Sequence, residues 1–275
     1  MNTQWSSRLH RAITHLVLIA GVLFLVGPIV VIIAASTHET SLLQRDGLPF
    51  WPGGQTVQNY SDVLFFQAGF TDQITALAML RNSLIIALGV AGLTTGLSLL
   101  AAYAIVYFRF PVAGLLFWAS LATLLLPLES RFITTFQVTA QLQLINSHLG
   151  MILPALALAL GTLFFRQFFR TLPEELLEAA QLDGAGPLRF LWDFILPLSW
   201  RRAGAIFVVS FMIGWNQYLW PILISTDETR YTLVRGIQLI GQESGPGMAL
   251  VVLSITPPLI LLLAFQRWFF TSLRD

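Results

Sequence analysis

Long apolar runs alternate with short polar breaks along this chain. The first run covers residues 12–36, behind Arg8 and Arg11. It is longer than the roughly 7–15 apolar residues of a secretory signal peptide and matches the about 20 that cross a bilayer core, so it reads as an anchor even with Ala34-Ala35-Ser36 at its end. Residues 37–80 are polar by contrast, carrying Glu39, Arg45, Asp46, Asp62 and Asp72 with turn chemistry at Pro49 and Pro52-Gly53-Gly54. That segment is expected outside the membrane, with Phe50 and Trp51 suited to the headgroup zone. Five further spans are expected at about 82–108, 112–128, 149–169, 203–225 and 248–269. The second contains Gly92 and Gly96, a small-residue spacing that lets helices approach closely. Arg109-Phe110-Pro111 makes a basic turn after it. Residues 132–148 mix Gln137, Gln141, Gln143 and Asn146 with apolar residues and read as a helix extension plus a loop. Pro257-Pro258 is expected to kink the sixth span, since proline removes a backbone donor and clashes with the preceding turn. Trp268 fits an interfacial anchor. The fold class predicted is an all-α integral membrane protein with six transmembrane helices, one domain over 1–275.

Composition supports lipid as the solvent. Hydrophobic residues make up 56% of the 275 and charged ones 11%, with mean hydropathy +0.73. A soluble domain carries about 25% charged residues. Net charge is +1, which gives no reason to expect a nucleic-acid partner. Cysteine and lysine are both absent. That excludes disulfides, thiolate nucleophiles, a P-loop and a Schiff-base lysine. His10, His15, His38 and His148 are scattered outside any metal-ligand spacing, and no metal site is expected.

The arginines give an orientation. With a cytoplasmic N-terminus, ten lie on the inner side (Arg8, Arg11, Arg109, Arg166, Arg170, Arg189, Arg201, Arg202, Arg267, Arg274) against four outside (Arg45, Arg131, Arg230, Arg235), with Arg81 at a boundary. The positive-inside rule then places both termini in the cytoplasm.

The polar stretch TLPEELLEAAQLDGAGPLRFLWDFILP, residues 171–197, reads as helix, break, helix. Thr171 with Glu174 has capping-box spacing around Pro173. Glu174 and Glu178 share one face, and Leu176, Leu177 and Ala180 make an apolar strip. Gly184, within Asp183-Gly184-Ala185-Gly186, ends the first helix, and Pro187 starts a second in which Arg189 and Asp193 stand four apart. The small Ala179, Ala180 and Gly184 suit a surface over which another protein closes.

This stretch resembles the E-A-A-x3-G-x9-I-x-L-P signature of ABC-importer permeases: Glu178-Ala179-Ala180, Gly184 and Leu196-Pro197 fall on it, with Phe194 at the Ile position. The resemblance extends over nearly the whole chain and is to the carbohydrate-uptake branch, similar to the maltose permease of the G type. It is closer still to the E-type permeases of glycerol-3-phosphate (glycerophosphodiester) importers. Residues 102–111, Leu126-Pro127-Leu128-Glu129-Ser130-Arg131, residues 164–169 and Gly214-Trp215-Asn216-Gln217-Tyr218-Leu219-Trp220-Pro221 carry it. It implies a type I importer permease whose hairpin docks on an ATPase subunit and passes its closure to the spans. A second homologous permease, two ATPase subunits, an extracytoplasmic solute-binding protein and membrane lipids are the implied partners. This chain would bind no cofactor; ATP and Mg would sit on the ATPases. Glycerol-3-phosphate or a glycerophosphodiester such as glycerophosphocholine is the implied solute, with a neutral oligosaccharide as the alternative.

Polar residues near the spans complete the candidate sites. Asn216, Gln217 and Tyr218 either line a path or make interhelical hydrogen bonds. Arg131 either meets a phosphate or pairs with Glu129 or a lipid headgroup. Tyr231, Arg235 and the loop 241–247 are expected outside, facing a binding protein. A secondary transporter would place ionisable residues mid-membrane, whereas the charges here cluster at span ends. No convergent nucleophile, acid–base pair or metal site suggests an enzyme.

Overall fold

A computed structural model describes residues 2–65, 74–108, 110–126, 128–240 and 244–272, and those described residues are helical or irregular throughout, with no strand. The α-helices are α1 (Asn2–Ala35), α2 (Thr40–Asp46), α3 (Thr56–Phe65), α4 (Ala76–Tyr107), α5 (Ala113–Ala122), α6 (Leu128–Gln141) and α7 (His148–Ile152). They continue as α8 (Leu158–Phe169), α9 (Glu174–Leu182), α10 (Pro187–Phe190), α11 (Leu196–Trp215), α12 (Leu219–Ile224), α13 (Leu233–Gly236) and α14 (Gly245–Ser272). Among the described residues, four helical stretches are long and apolar enough to cross a membrane, and the number is six if each of two bent helix pairs makes one span.

The bent pairs revise the expected spans. Helix Ala113–Leu125 turns by 114° into Ser130–Gln141, so the third span is shorter than expected and the expected helix extension is a separate helix, α6, with the expected loop following at 142–147. Leu126 is extended (φ −82°, ψ 121°), the conformation that a following proline favours by disfavouring helical backbone at the residue before it. A milder 49° bend separates His148–Ala155 from Leu158–Phe169, with Pro154 at the break. The expected fifth span also moves. A continuous helical run, Pro187–Trp215, absorbs the second half of the hairpin and ends ten residues earlier than 225. Helix α14 runs through Pro257 and Pro258 without interruption.

Two compact units divide the chain. The first comprises Met1–Leu77 with Gly236–Ile255. Its polar segment is a small folded cap rather than an open loop. Asn59 donates to the carbonyls of Ser36 (2.9 Å) and His38 (2.8 Å). Thr37 donates to Ala34 O at 2.6 Å and accepts from the amide of Gly53 at 2.6 Å. A Cβ on Gly53 would lie 2.5 Å from the Thr37 carbonyl, so only glycine permits this approach. In α1, none of the most apolar window is buried, which leaves those side chains for lipid or another chain.

The second unit comprises Ala78–Arg235 with Thr256–Asp275. One core cluster joins Ile86 and Val90 of α4 to Met151 and Ile152 of α7 and to Trp220 and Ile224 of α12. Close packing on α4 uses Gly89, where an added Cβ would meet Ile152 at 2.6 Å; Gly92 and Gly96 face open space and make no close approach within the chain. The second cluster, of Leu99, Ala102, Tyr103, Phe165, Phe168 and Phe169, receives the hairpin.

Candidate functional site: the helical hairpin and the broken span

The hairpin starts where α8 runs out. The Thr171 hydroxyl donates to the Phe168 carbonyl at 2.7 Å, so it closes the end of α8 instead of capping α9. The N-cap of α9 is Pro173, with extended backbone and no side-chain cap, and the expected capping box does not form. Glu174 and Glu175 occupy the first turn, where a carboxylate is favourable against the positive end of the helix dipole.

Helix α9 ends in a Schellman motif. Gly184 takes φ +72°, its amide donates to Gln181 O (3.0 Å), and the Ala185 amide reaches back to Ala180 O (2.9 Å). This is the 6→1 closure that a left-handed residue after a helix allows. Pro187 then opens α10 at a position that needs no amide donor. Leu191–Ile195 is a π-turn, and α11 follows with Pro197 in its first turn. Pro197 cannot donate to the carbonyl four residues back and its ring crowds that carbonyl; the wider turn accommodates both effects.

The inner face of the hairpin belongs to the core. Ala180 is 1% exposed and packs with Phe190, Leu191 and Ile195 against Tyr103 of α4 and Phe169 of α8. The Ala180 methyl is therefore part of this chain's interior and not a docking surface. The rings of Tyr103, Tyr107, Phe169 and Phe190 meet in pairs at centroid distances of 5.2–6.4 Å. The Tyr103 hydroxyl donates to Pro187 O at 2.8 Å. The outer face carries Glu174, Glu178, Ala179 and Gly184, all exposed, with Leu182 at 89% and Leu188 at 73% exposure. Leu182 and Leu188 thus stand bare among polar residues on this face. Sequence reading missed them because each lies off the amphipathic stripe that Leu176 and Leu177 define. Leu196 is half-buried and Pro197 exposed at the start of α11.

At the other end of α11 the helix stops at Trp215. Asn216 Nδ2 donates at 2.9 Å to Met212 O, which also accepts from the Asn216 amide at 3.0 Å, and Gln217 Nε2 donates at 3.4 Å to Gly214 O near the break. Tyr218 is the N-cap of α12. Irregular backbone at such a break is tolerated where it is buried in protein or lines a cavity. Among the described residues, Gln217 Oε1 here and Arg131 Nε at the start of α6 are buried without a hydrogen-bond partner. The rings of Phe132 and Trp220, 6.1 Å apart, bring the start of α6 against α12. The side chain of Glu129 lies outside the described residues.

Residues 225–235 are tied down. Asn146 Oδ1 accepts from the amides of Thr226 (2.7 Å) and Asp227 (3.0 Å). Asn82 donates to the carbonyls of Thr229 (2.8 Å) and Tyr231 (3.0 Å). Arg235 donates to Pro221 O at 3.1 Å and to Ser225 O, and lies 3.6 Å over the ring of Tyr231. Tyr231 is buried. Both residues thus have partners inside this unit, Tyr231 buried and Arg235 half-buried. Residues 241–243 of the loop 241–247 lie outside the described residues. Asp227 accepts from the hydroxyl (2.8 Å) and amide (2.9 Å) of Thr229; these bonds, with Arg230 nearby, hold its carboxyl below the usual carboxylate range.

Comparison with known proteins agrees with this architecture. Residues 92–275 match the family described as binding-protein-dependent transport system inner membrane component. The sn-glycerol-3-phosphate transport system permease protein UgpE of Yersinia pestis is 43% identical over 268 residues, covering 95% of each chain. The UgpE proteins of Pectobacterium atrosepticum and Salmonella typhi are 42% and 41% identical, again over 95% of each chain. A chain in the crystal structure of a bacterial ABC transporter that imports the acidic polysaccharide alginate superposes with TM-score 0.83 at 19% identity, over 96% of this chain and 98% of that one.

Proposed function

The chain belongs to the binding-protein-dependent transport system inner membrane components, and on that premise we propose that it is the permease subunit through which an ATP-driven importer takes up sn-glycerol-3-phosphate or a glycerophosphodiester. The relatives that carry glycerol-3-phosphate in their names match it along 95% of its length, and that likeness supports the solute class. In this reading the chain hydrolyses nothing and holds no cofactor. Two ATPase subunits bind ATP and Mg, a second homologous permease completes the pathway, and an extracytoplasmic binding protein delivers the solute. Both termini and residues 171–197 face the cytoplasm.

The hairpin's geometry carries the coupling role. Glu174, Glu178, Ala179 and Gly184, with Leu182 and Leu188, form the face offered to the ATPase. Ala180, Phe190 and Ile195 fasten that face to α4 and α8, and Leu196-Pro197 lead it into α11. A displacement of the outer face therefore moves three helices at once, because a close-packed interior does not absorb it. Asn216, Gln217, Tyr218, Arg131 and Glu129 are the residues assigned to the solute path.

The test is uptake into proteoliposomes holding the assembled importer, its binding protein and internal ATP. ATP-dependent accumulation of glycerol-3-phosphate, with none of a neutral disaccharide, is the expected result. Accumulation of the disaccharide alone would discard the phosphate solute and keep the permease role.

A further inference from the structure

Asn82 near the start of α4, His148 on α7 and Arg230 form one polar chain inside the second unit. Both hydrogens of the Asn82 amide are spent, on Thr229 O (2.8 Å) and Tyr231 O (3.0 Å). Its Oδ1 lies 3.1 Å from His148 Nε2. An amide oxygen only accepts, so Nε2 carries the hydrogen. His148 Nδ1 therefore presents a lone pair, and Arg230 Nη1 lies 3.4 Å from it. A guanidinium only donates, so the bonds run one way, from Arg230 through the imidazole to Asn82. A second proton on the ring would set donor against donor and cation against cation.

The charge around this ring is one-sided. Of the elements packed on α7, α12 carries no ionisable residue, α4 brings Arg81, and α6 brings Glu129 and Arg131 in its first turn. Residues 226–231 bring Asp227, Glu228, Arg230 and Tyr231; Asp227 is taken up by Thr229, and Tyr231 lies under Arg235. Among the described residues no carboxylate comes within 4.0 Å of His148, and the charges acting on its ring are those of Arg230 and Arg81.

We propose that His148 is a positioning residue for transport, a latch that holds Arg230 while its ring is neutral and releases it when the outer solution acidifies. The latch rests on the permease role and outward placement proposed above. The turn itself persists in acid, because Asn146 keeps its bonds to the Thr226 and Asp227 amides and Asp227 its bonds to Thr229. What is lost is the attachment of that turn, which follows the broken span α11–α12, to α7.

Proteoliposomes holding the assembled importer and its binding protein, with ATP inside at constant pH, test the latch. The external pH is lowered across the histidine range, from about 8 to 5. Glycerol-3-phosphate uptake should fall about tenfold, the loss of one charge-assisted contact. Protonation of the solute and of the binding protein acts equally on a variant, so the comparison isolates the ring. His148→Gln, whose amide can donate to Asn82 and accept from Arg230 but takes up no proton, should flatten the step. Arg230→Gln should import slowly at every pH and show no step of its own. A step of equal size in the native importer and in His148→Gln would overturn the proposal. Solid-state NMR of the importer labelled with nitrogen-15 histidine reads the ring without any transport. The signals that vanish in His148→Gln should be those of the Nε2–H tautomer at neutral pH, and an Nδ1–H tautomer would equally overturn the latch. If the native importer takes up no glycerol-3-phosphate, the proposed solute falls while the tautomer still decides the latch.

Discussion

The phenol of Tyr103 on α4 donates to the carbonyl of Pro187, 84 residues further along, at 2.8 Å. That carbonyl belongs to the first residue of α10, so one hydrogen bond ties a membrane helix to the second arm of the hairpin. The Tyr103 ring also packs against Phe190, at a centroid distance of 6.4 Å. Force applied to the hairpin therefore reaches α4 through a polar and an apolar contact together.

Tyr103→Phe separates the two. The ring contacts persist while the hydrogen bond, worth about 0.5–1.5 kcal/mol, is lost. The variant should insert and assemble normally, hydrolyse ATP at close to the native rate, and import fewer solute molecules per ATP. Parallel measurement of hydrolysis and uptake in proteoliposomes gives the ratio. An unchanged ratio would remove Tyr103 from the coupling path.

Within this chain, among the described residues, Gly184 is required for its backbone and not for its size. Nothing lies within 4 Å of a Cβ built there, yet φ is +72°. Gly184→Ala should cost about 1–2 kcal/mol locally, the penalty of left-handed backbone for an L-residue, and Gly184→Asn less. Gly186, with ordinary φ −68° and open space, should accept alanine with little effect. Glu178→Arg reverses a charge on the exposed face and should uncouple transport without harming insertion. Normal uptake by both Gly184→Leu and Glu178→Arg would refute the coupling assignment.

The hairpin was largely legible in the sequence because its breakers are local: Gly184 and Pro187 dictate their own backbone whatever surrounds them. Its orientation was not. Ala179 and Ala180 look alike as letters, and only packing against Tyr103 and Phe169 decides that one is buried and the other bare. Thr171 had the spacing of a cap, but Pro173 takes the N-cap position and Thr171 turns back to Phe168. The sharp turn before α6 was hidden for a similar reason, since a hydropathy window reports apolar length and not direction. The internal bonding of Arg235 left no trace in the sequence because its partners, Pro221 and Ser225, are backbone carbonyls.

Orientation is open to chemical labelling, since the chain contains no cysteine. A cysteine at Asp62 should react with an impermeant maleimide from outside, and one at Glu174 only after the membrane is breached. Reaction of the Glu174 position from outside would invert the assigned topology.

Asp227 gives a pH dependence with a definite sign. Its folded pKa lies below the unfolded value near 3.9, chiefly through the Thr229 hydroxyl and amide. The stabilisation is therefore complete above about pH 4 and is lost as pH falls through the lower, folded value. Hydrogen exchange at the Thr229 amide, corrected for its intrinsic rate, should speed up only in that acidic window. In Asp227→Asn the amide should be less protected at neutral pH and the acid step should vanish. A step that survives the substitution would assign it to another group.

Arg131 and Gln217 carry the solute prediction. Among the described residues each holds a buried polar atom without a partner, a donor at Arg131 Nε and an acceptor at Gln217 Oε1. An unsatisfied buried polar group costs about 1–3 kcal/mol, which a ligand recovers on pairing with it. A phosphate ester of glycerol has the matching groups: phosphoryl oxygens accept from a guanidinium, and a hydroxyl donates to an amide oxygen. One charge-assisted contact, about 1.5–3 kcal/mol, corresponds to roughly ten- to a hundredfold in affinity. Arg131→Gln should raise the KM for glycerol-3-phosphate by that factor, with expression and assembly unchanged. Arg131→Lys should restore only part of it, because an ammonium lacks the planar fork that meets two oxygens. Gln217→Leu should weaken uptake of glycerol-3-phosphate without altering the effect of inorganic phosphate as a competitor. Glu129→Gln separates solute binding from a plain ion pair. If Arg131 serves only Glu129, the two substitutions should damage folding and transport alike, and the KM of whatever assembles should stay native. If Arg131 meets the phosphate, removing the Glu129 carboxylate should leave transport unchanged or slightly improved.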